Sequence, residues 1–296
     1  YAAFWAPLEP LLKNIRTVYW SPDGVFHKLN PNALRRPDGT YLLDYYDIRA
    51  LRHPAAAPQA GGTERPRWKR ALLLANPAFP ADMPPGFTPD GLPLPPLPFA
   101  EREMNAVGRL LEQEGWEVRS LSGGDATEEA VKRTGPVGVL HLATHGHFQE
   151  NRRPAPETEV PPLSMLQSML FLAGGQGRRF GFEGEDGILT AYEVMGLPLD
   201  GAELAVLSAC RSGQGELAAG EGAYGFQRAL RIAGAKAALL SLWDVEDKAT
   251  AEWMAAFYRN WLSGLSKFEA YQATQRAMRD QYGLPFYWAG FVFTGE

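Results

Sequence analysis

Four short apolar runs recur along the chain: Arg70–Ala75 (RALLLA), Val137–Ala143 (VGVLHLA), Leu204–Ala209 (LAVLSA) and Lys236–Trp243. Each is short for a helix and bounded by turn-forming residues, which predicts a strand buried on both faces. Helical patterns lie between them. Ala100–Glu114 reads as a helix stopped by Gly115, with a strand following at Trp116–Leu121. Asp125 with Glu128 has the form of a capping box opening a short helix to Arg133. Further helices are expected at Ala191–Met195 and from about Glu221 to Ala233. Trp253, Met254, Phe257, Tyr258, Trp261 and Leu262 recur at the i, i+3/i+4 spacing of a core-facing helix. Ser266 and Glu269 then cap another helix, and the tail Phe286–Phe293 supplies a last strand. Near the start, the pattern predicts an amphipathic helix around Leu8–Ile15 and a strand at Thr17–Trp20. A turn at Ser21–Gly24 and a second strand within Tyr41–Leu51 follow. Buried strands alternating with helices predict the α/β class, with a mostly parallel sheet flanked by helices on both faces.

The segments between these elements are uneven. Pro54–Arg67 reads as a loop, and Asn76–Phe99 is crowded with prolines, among them Pro93, Pro95, Pro96 and Pro98. Proline denies a ladder its donor, so that stretch is expected as a surface loop or an extended polyproline segment. Gln149–Pro162, Gly174–Gly187 and Gly213–Gly222 complete the loops. Loops of such length are often functional, and at least one of Asn76–Phe99, Gln149–Pro162 and Gly174–Gly187 is expected to rearrange on activation. No internal repeat is visible.

Composition narrows the function classes. The 296 residues are 45% hydrophobic and 21% charged, the make-up of a globular protein with a sizeable core. A net charge of −5 argues against nucleic acid or an anionic membrane as the main partner. There is no run of eighteen apolar residues and no signal-peptide pattern. One cysteine excludes an intrachain disulfide framework and fits a reducing, cytoplasmic setting. The chain opens at Tyr1 in what reads as mid-domain sequence, so a piece of a longer protein is expected. The length has room for one large α/β domain or two small ones.

Candidate chemistry sits where the apolar runs stop. HLATHGHF (His141–Phe148) and LSACRSGQGE (Leu207–Glu216) both run from a strand into a small residue, a reactive side chain and a nearby glycine. In open parallel sheets, ligands bind beyond the carboxyl ends of the strands. Cys210 is the candidate nucleophile and His145 its acid–base partner, 65 residues apart and therefore in need of adjacent strands. The amides of Gly146 and Cys210 are the candidate oxyanion hole. A strand-end cysteine is also commonly a packed thiol, and a strand-end histidine commonly structural. His141 reads as a core or supporting residue, and His147 as lining the site or exposed. His141, His145 and His147 share strand parity, which raises zinc, but Gly146 interrupts the strand and no acidic ligand follows at close spacing. The loop Gly213–Gly222 lacks Gly-Lys-Ser/Thr and carries Glu216 and Glu221, which argues against phosphate. No cofactor or metal is expected, and no substrate-binding residue is assigned. Glu216, Glu221, Asp244, Glu246 and Asp247 are each able to supply an acidic pocket for a basic side chain, or equally to pair with a nearby arginine or lie in solvent, and Trp243 to wall a pocket or cap the core.

The sequence resembles the CHAT domain, a caspase-like peptidase module often found with tetratricopeptide repeats. The resemblance rests on HLATHG (His141–Gly146), LSAC-x-[TS]-G (Leu207–Gly213), GEG-x-x-G (Gly220–Gly225) and SLW-x-V-x-D-x-AT (Ser241–Thr250). SPDG (Ser21–Gly24) and YWAGFVFTG (Tyr287–Gly295) bracket the chain. It implies a caspase-type sheet, a Cys210–His145 dyad without a named third member, and a protein or peptide substrate. It also implies one domain over 1–296, with 1–66 an accessory segment and 67–296 a catalytic core. Gly146 matches the glycine after the family's histidine, and Ser212 stands where threonine is commoner. It further implies a regulating repeat or sensor region elsewhere in the parent protein. Some relatives are bacterial defence peptidases that cut a dedicated protein such as a gasdermin-like pore former. The alternative is a dormant signalling or binding module.

Overall fold

A computed structural model describes residues 1–22, 24–51, 66–79, 88, 91, 93–148, 163–174, 184–209, 212, 217–218, 222–223 and 225–295. The chain opens with two short strands, β1 (Thr17–Trp20) and β2 (Asp47–Ala50), joined by 3-10 turns. Then follow β3 (Arg70–Pro77), α1 (Pro98–Gln113), β4 (Glu117–Gly123), α2 (Glu128–Lys132) and β5 (Val139–Ala143). A short offshoot comprises β6 (Gly146–Phe148), α3 (Leu163–Gln167), β7 (Ser168–Phe171), β8 (Ile188–Thr190) and α4 (Ala191–Val194). The chain returns through β9 (Leu204–Ser208), the small hairpin β10 (Leu217–Ala218) and β11 (Gly222–Ala223), α5 (Phe226–Ile232) and β12 (Ala237–Ser241). It closes with α6 (Asp247–Leu262), α7 (Lys267–Tyr282), α8 (Pro285–Trp288) and β13 (Phe291–Gly295).

Eight strands form one sheet in the order β1-β2-β13-β12-β9-β5-β3-β4. The five at its centre and far edge, β12, β9, β5, β3 and β4, run parallel; β13 turns back antiparallel to β12. This is the expected α/β class, mostly parallel, and the strand side chains show why both faces are covered. Leu73, Val139, Val206 and Leu239 point into one core, packed by α1, α6 and α7 through Val107, Leu111, Trp253, Phe257 and Tyr271. Their neighbours Leu72, Leu74, Leu140, Leu207 and Leu240 point into the other, packed by α2, α4 and α5. With successive side chains facing opposite sides, a strand buried on both must be apolar throughout. Trp253, Met254, Phe257 and Tyr258 are all buried, and each such side chain contributes about 1.5–3 kcal/mol of burial.

Several boundaries differ from the sequence expectation, each for a local reason. The helix expected at Leu8–Ile15 is only a 3-10 turn at Glu9–Leu11, with Leu8, Leu11 and Ile15 exposed. Pro7 and Pro10 interrupt it, since proline lacks a donor, and Asn14 takes a left-handed φ of 65° that ends it. Within Tyr41–Leu51 only Asp47–Ala50 is strand. Leu42–Asp44 is a 3-10 turn closed by the Asp44 carboxylate on the Tyr41 amide, 3.0 Å. Thr127, not Asp125, caps α2, accepting the Ala130 amide at 3.2 Å. The helix expected from Glu221 begins at Phe226, because Gly222–Ala223 is drawn into the β10–β11 hairpin and Gly225 breaks the chain at φ 132°. The tail carries a helical turn at Pro285–Trp288 before its strand. Both capping boxes at Thr190/Glu193 and Ser266/Glu269 are formed, the second as expected. Among the described residues no helix is long and apolar enough to cross a membrane.

Entry to β5 depends on Gly138. Its amide donates to Arg70 O at 2.8 Å and its carbonyl accepts from Glu203 at 2.8 Å, so it bridges β3 and the approach to β9. A Cβ there would lie 2.0 Å from the Trp68 carbonyl oxygen and 2.7 Å from the Trp116 ring. Gly138→Ala should therefore cost at least about 2 kcal/mol, read as a lower urea midpoint at unchanged slope.

Candidate functional site

The parallel ladder between β5 and β9 sets the site. Val139 pairs with Leu204, and the register runs without a break to Ala143 opposite Ser208. His145 lies two residues past Ala143, at the carboxyl end of the sheet. Cys210 follows Ser208 by the same number of residues in sequence and lies outside the described residues, as do Arg211 and Gly213–Glu216. The chain on either side of that gap is tied down. Ala209 and Ser212 are buried, and the Ser212 amide donates to Ala209 O at 3.1 Å. The Ser212 hydroxyl donates to Leu207 O at 2.8 Å and accepts the Ser241 amide at 3.0 Å, while the Ser241 hydroxyl donates to Ala209 O. Ser212, the small departure from the family's threonine, thus links the ends of β9 and β12 through a hydroxyl that both residue types carry.

His145 is half-buried and held on one nitrogen. Its Nε2 lies 2.7 Å from the Pro95 carbonyl oxygen, and its ring packs at 5.9 Å between centroids from Phe79. A carbonyl only accepts, so Nε2 carries the proton, and the neutral ring presents Nδ1 as its basic nitrogen. Behind it, His145 O accepts the Phe171 amide at 3.0 Å and the Thr144 hydroxyl donates to Phe171 O at 2.5 Å. These bonds splay the chain away from the main sheet. Gly146 opens β6, which pairs antiparallel with β7, Gly146 opposite Leu170 and His147 opposite Met169.

The expected absence of a named third member is where the structure adds most. Pro95 orients His145, and the proline density around it was the available signal. Pro93, Pro95, Pro96 and Pro98 supply no amides, so this segment has few donors of its own to occupy its carbonyls.

His141 has a different task from His145. Fully buried, it lies 2.7 Å from Glu103 of α1 through Nε2 and 3.1 Å from the Tyr258 hydroxyl of α6 through Nδ1. Both ring nitrogens are engaged, so it has no free lone pair to offer a metal together with His145 and His147. Burial, reinforced by the Glu103 charge, pushes the Tyr258 hydroxyl well above its ordinary pKa, so it stays a neutral donor.

The acidic candidates divide. Glu216 and Glu221 lie outside the described residues, and Asp244 is exposed. Glu246 caps α6, accepting the amides of Lys248 and Ala249 at 3.2 and 2.7 Å. Asp247 accepts the Phe99 amide at 3.1 Å. Trp243 donates to Phe286 O at 3.1 Å and packs on the core edge.

One ionic cluster ties the offshoot to the body. Lys132 Nζ sits 2.6, 2.7 and 2.8 Å from carboxylate oxygens of Glu128, Glu185 and Glu193. Glu128 also accepts the Gly187 amide at 2.8 Å and Glu129 the Glu185 amide at 3.0 Å. Burial raises the Glu128 carboxyl to about 7 against the pull of Lys132. Burial works against the Lys132 charge too, but the three carboxylates outweigh it and hold its pKa above the ordinary value.

Burial lowers the His145 pKa from the ordinary 6.5, an effect only partly offset by the Pro95 carbonyl and the Asp247 charge. The ring is therefore neutral at pH 7. The unfolded chain binds this proton more readily, so the contribution of His145 to stability grows as pH rises through the window between the lowered value and 6.5. A histidine NMR titration should place the His145 midpoint below that of the same residue in the urea-unfolded chain.

Comparison with known proteins places the chain. Human tetratricopeptide repeat protein 28 is 28% identical over 218 residues, which is 68% of this chain but 8% of that protein. The Mus musculus protein is 27% identical over 218 residues, 68% of this chain and 9% of its own length. The chain thus spans under a tenth of these relatives. The crystal structure of the Arg-specific cysteine proteinase gingipain R superposes with a TM-score of 0.48 at 12% identity, over 77% of this chain and 46% of that one. The family model of the CHAT domain matches residues 1–296, and by that match over its full length the chain belongs to the CHAT domain family.

Proposed function

We propose that the chain is a caspase-like cysteine endopeptidase in which Cys210 is the nucleophile and His145 the acid–base group. The observation that carries this reading is the β5–β9 register, which puts the two residues at equal distance in sequence past paired positions of adjacent parallel strands. The protonation of His145 supports it. With Nε2–H committed to Pro95, Nδ1 is the nitrogen able to take the thiol proton. A cysteine thiol of ordinary pKa, about 8.5, is mostly protonated at pH 7 and needs such a base.

In this mechanism the Cys210 sulfur attacks the scissile carbonyl carbon as its proton passes to His145 Nδ1. The amides of Gly146 and Cys210 hold the oxyanion that forms. Collapse of the tetrahedral adduct breaks the C–N bond, and His145 returns the proton to the leaving amine. Water then attacks the thioester, giving its proton to Nδ1, and the free acid and the Cys210 thiol are restored. The substrate is a protein or peptide. The domain is a single unit with residues 1–66 as an accessory segment, and the tetratricopeptide repeats of its relatives support a repeat region as its regulator.

The test is labelling of the single thiol with an acyloxymethylketone probe. His145→Ala should slow labelling of Cys210 by about a hundredfold or more at pH 7, and Cys210→Ala should abolish both labelling and peptide cleavage. Equal labelling with and without His145 would sink the dyad, and a thiol inert to the probe would favour the dormant binding module.

A further inference from the structure

The Pro95 carbonyl can orient His145 only if the segment that carries it is fixed. Its far end is held because Pro98 and Phe99 open α1 and the Leu97 carbonyl accepts the Ala100 amide at 3.1 Å, but the segment has few donors with which to fix the approach to that helix. Among Pro95, Pro96, Leu97, Pro98 and Phe99, only Leu97 and Phe99 possess a backbone N–H. Both are taken by side chains from other elements. The Leu97 amide donates to Asn76 Oδ1 at 2.7 Å, and the Phe99 amide donates to Asp247 Oδ2 at 3.1 Å. The flanking prolines restrict φ, so two anchors hold a stiff rail rather than a slack loop.

Asn76 is shaped for this. It sits at the end of β3 where the ladder to β4 slips, Ala75 pairing with Ser122 but Pro77 with Gly123. Its φ of 48° is left-handed, a region asparagine tolerates better than other residues with a side chain. Its amide nitrogen is steadied at 3.5 Å by Glu101 of α1. Asp247 lies at the start of α6, on the other side of the rail, and is also the charge that favours protonated His145.

We propose that Asn76 and Asp247 are positioning residues, which pin the rail Pro95–Phe99 so that the Pro95 carbonyl holds His145 with Nε2 protonated and Nδ1 free. The inference rests on the proposed peptidase reading for its purpose, but its geometry can be tested without catalysis. A ring N–H bonded to a carbonyl exchanges slowly with water and gives a visible proton resonance; a released one does not.

The experiment uses the full chain and records the imidazole N–H region by NMR. His145→Gln assigns the signal, and the buried His141, bonded at both nitrogens, reports that the fold is intact. Asn76→Gly keeps the left-handed backbone and removes the acceptor together with the long contact to Glu101; Asp247→Ala removes the other acceptor. Each should raise the exchange rate of the His145 ring proton at least tenfold with His141 signals unchanged. Asp247→Asn, which keeps an acceptor oxygen, should retain it, as should Asn76→Asp combined with Glu101→Gln, which keeps the oxygen without setting two carboxylates together. Cys210 labelling at pH 7 should fall tenfold in the first pair and recover in the second. Wild-type exchange in both Asn76→Gly and Asp247→Ala would overturn the proposal, as would absence of the His145 ring signal from the wild type. If Cys210 proves inert while the ring proton follows this pattern, the positioning stands and the peptidase reading alone fails.

Discussion

The β5–β9 ladder is the constraint from which the rest of the molecule follows. Parallel pairing of Val139–Ala143 with Leu204–Ser208 brings together two chain segments far apart in sequence, and it does so to the residue. A slip of one position would turn every core leucine of a strand to the opposite face, so the register is enforced by burial on both sides. Leu140 and Leu142 belong to one core, Val139 and Ala143 to the other. The ends of these strands at Ala143 and Ser208 inherit that fixed position.

Holding the strands is not the same as holding His145. The ladder fixes where its backbone emerges, but its ring is set by groups from outside the ladder: the rail at Pro95, the ring of Phe79 and the turn to β7. His141, four residues earlier, works in the opposite sense. It joins β5 to α1 and α6 through Glu103 and Tyr258, and both helices begin beside the rail. One histidine braces the scaffold and the other faces the open end of the sheet, although the sequence places them in the same motif.

The fold class was legible because buried parallel strands must be apolar throughout, a pattern few other elements produce at that length. The long amphipathic helices were legible for the same reason, through Trp253, Phe257 and Tyr258. Elements held together by a few polar contacts were not. The Thr127 cap lay two residues from the expected one, and Glu128, read as part of that cap, instead faces Lys132. The N-terminal segment carried a helical period, but the prolines at 7 and 10 prevented the ladder of amide bonds that period implies. At the site, side-chain type identified His145, while its orienting partner is a backbone carbonyl. Backbone acceptors are present at every residue and leave no mark in a sequence. Only the shortage of donors around Pro95 gave a sign. The expectations on Cys210, Gly213–Glu216, Gln149–Pro162 and most of Pro54–Arg67 fall outside the described residues.

The offshoot that leaves the main sheet after His145 is tied back by charge as well as by packing. Glu185 and Glu193, which flank β8, meet Lys132 and Glu128 of α2 there, beside apolar contacts. The two kinds of tie respond differently to heat. The hydration of charged groups becomes less favourable on warming, which lowers the cost of keeping Lys132 and its partners out of water, while the stabilisation per unit of apolar area levels off. As temperature rises, the seam between α2 and the chain flanking β8 therefore comes to rely more on charge and less on packing. That seam and the apolar core beside it should then loosen on separate thermal schedules.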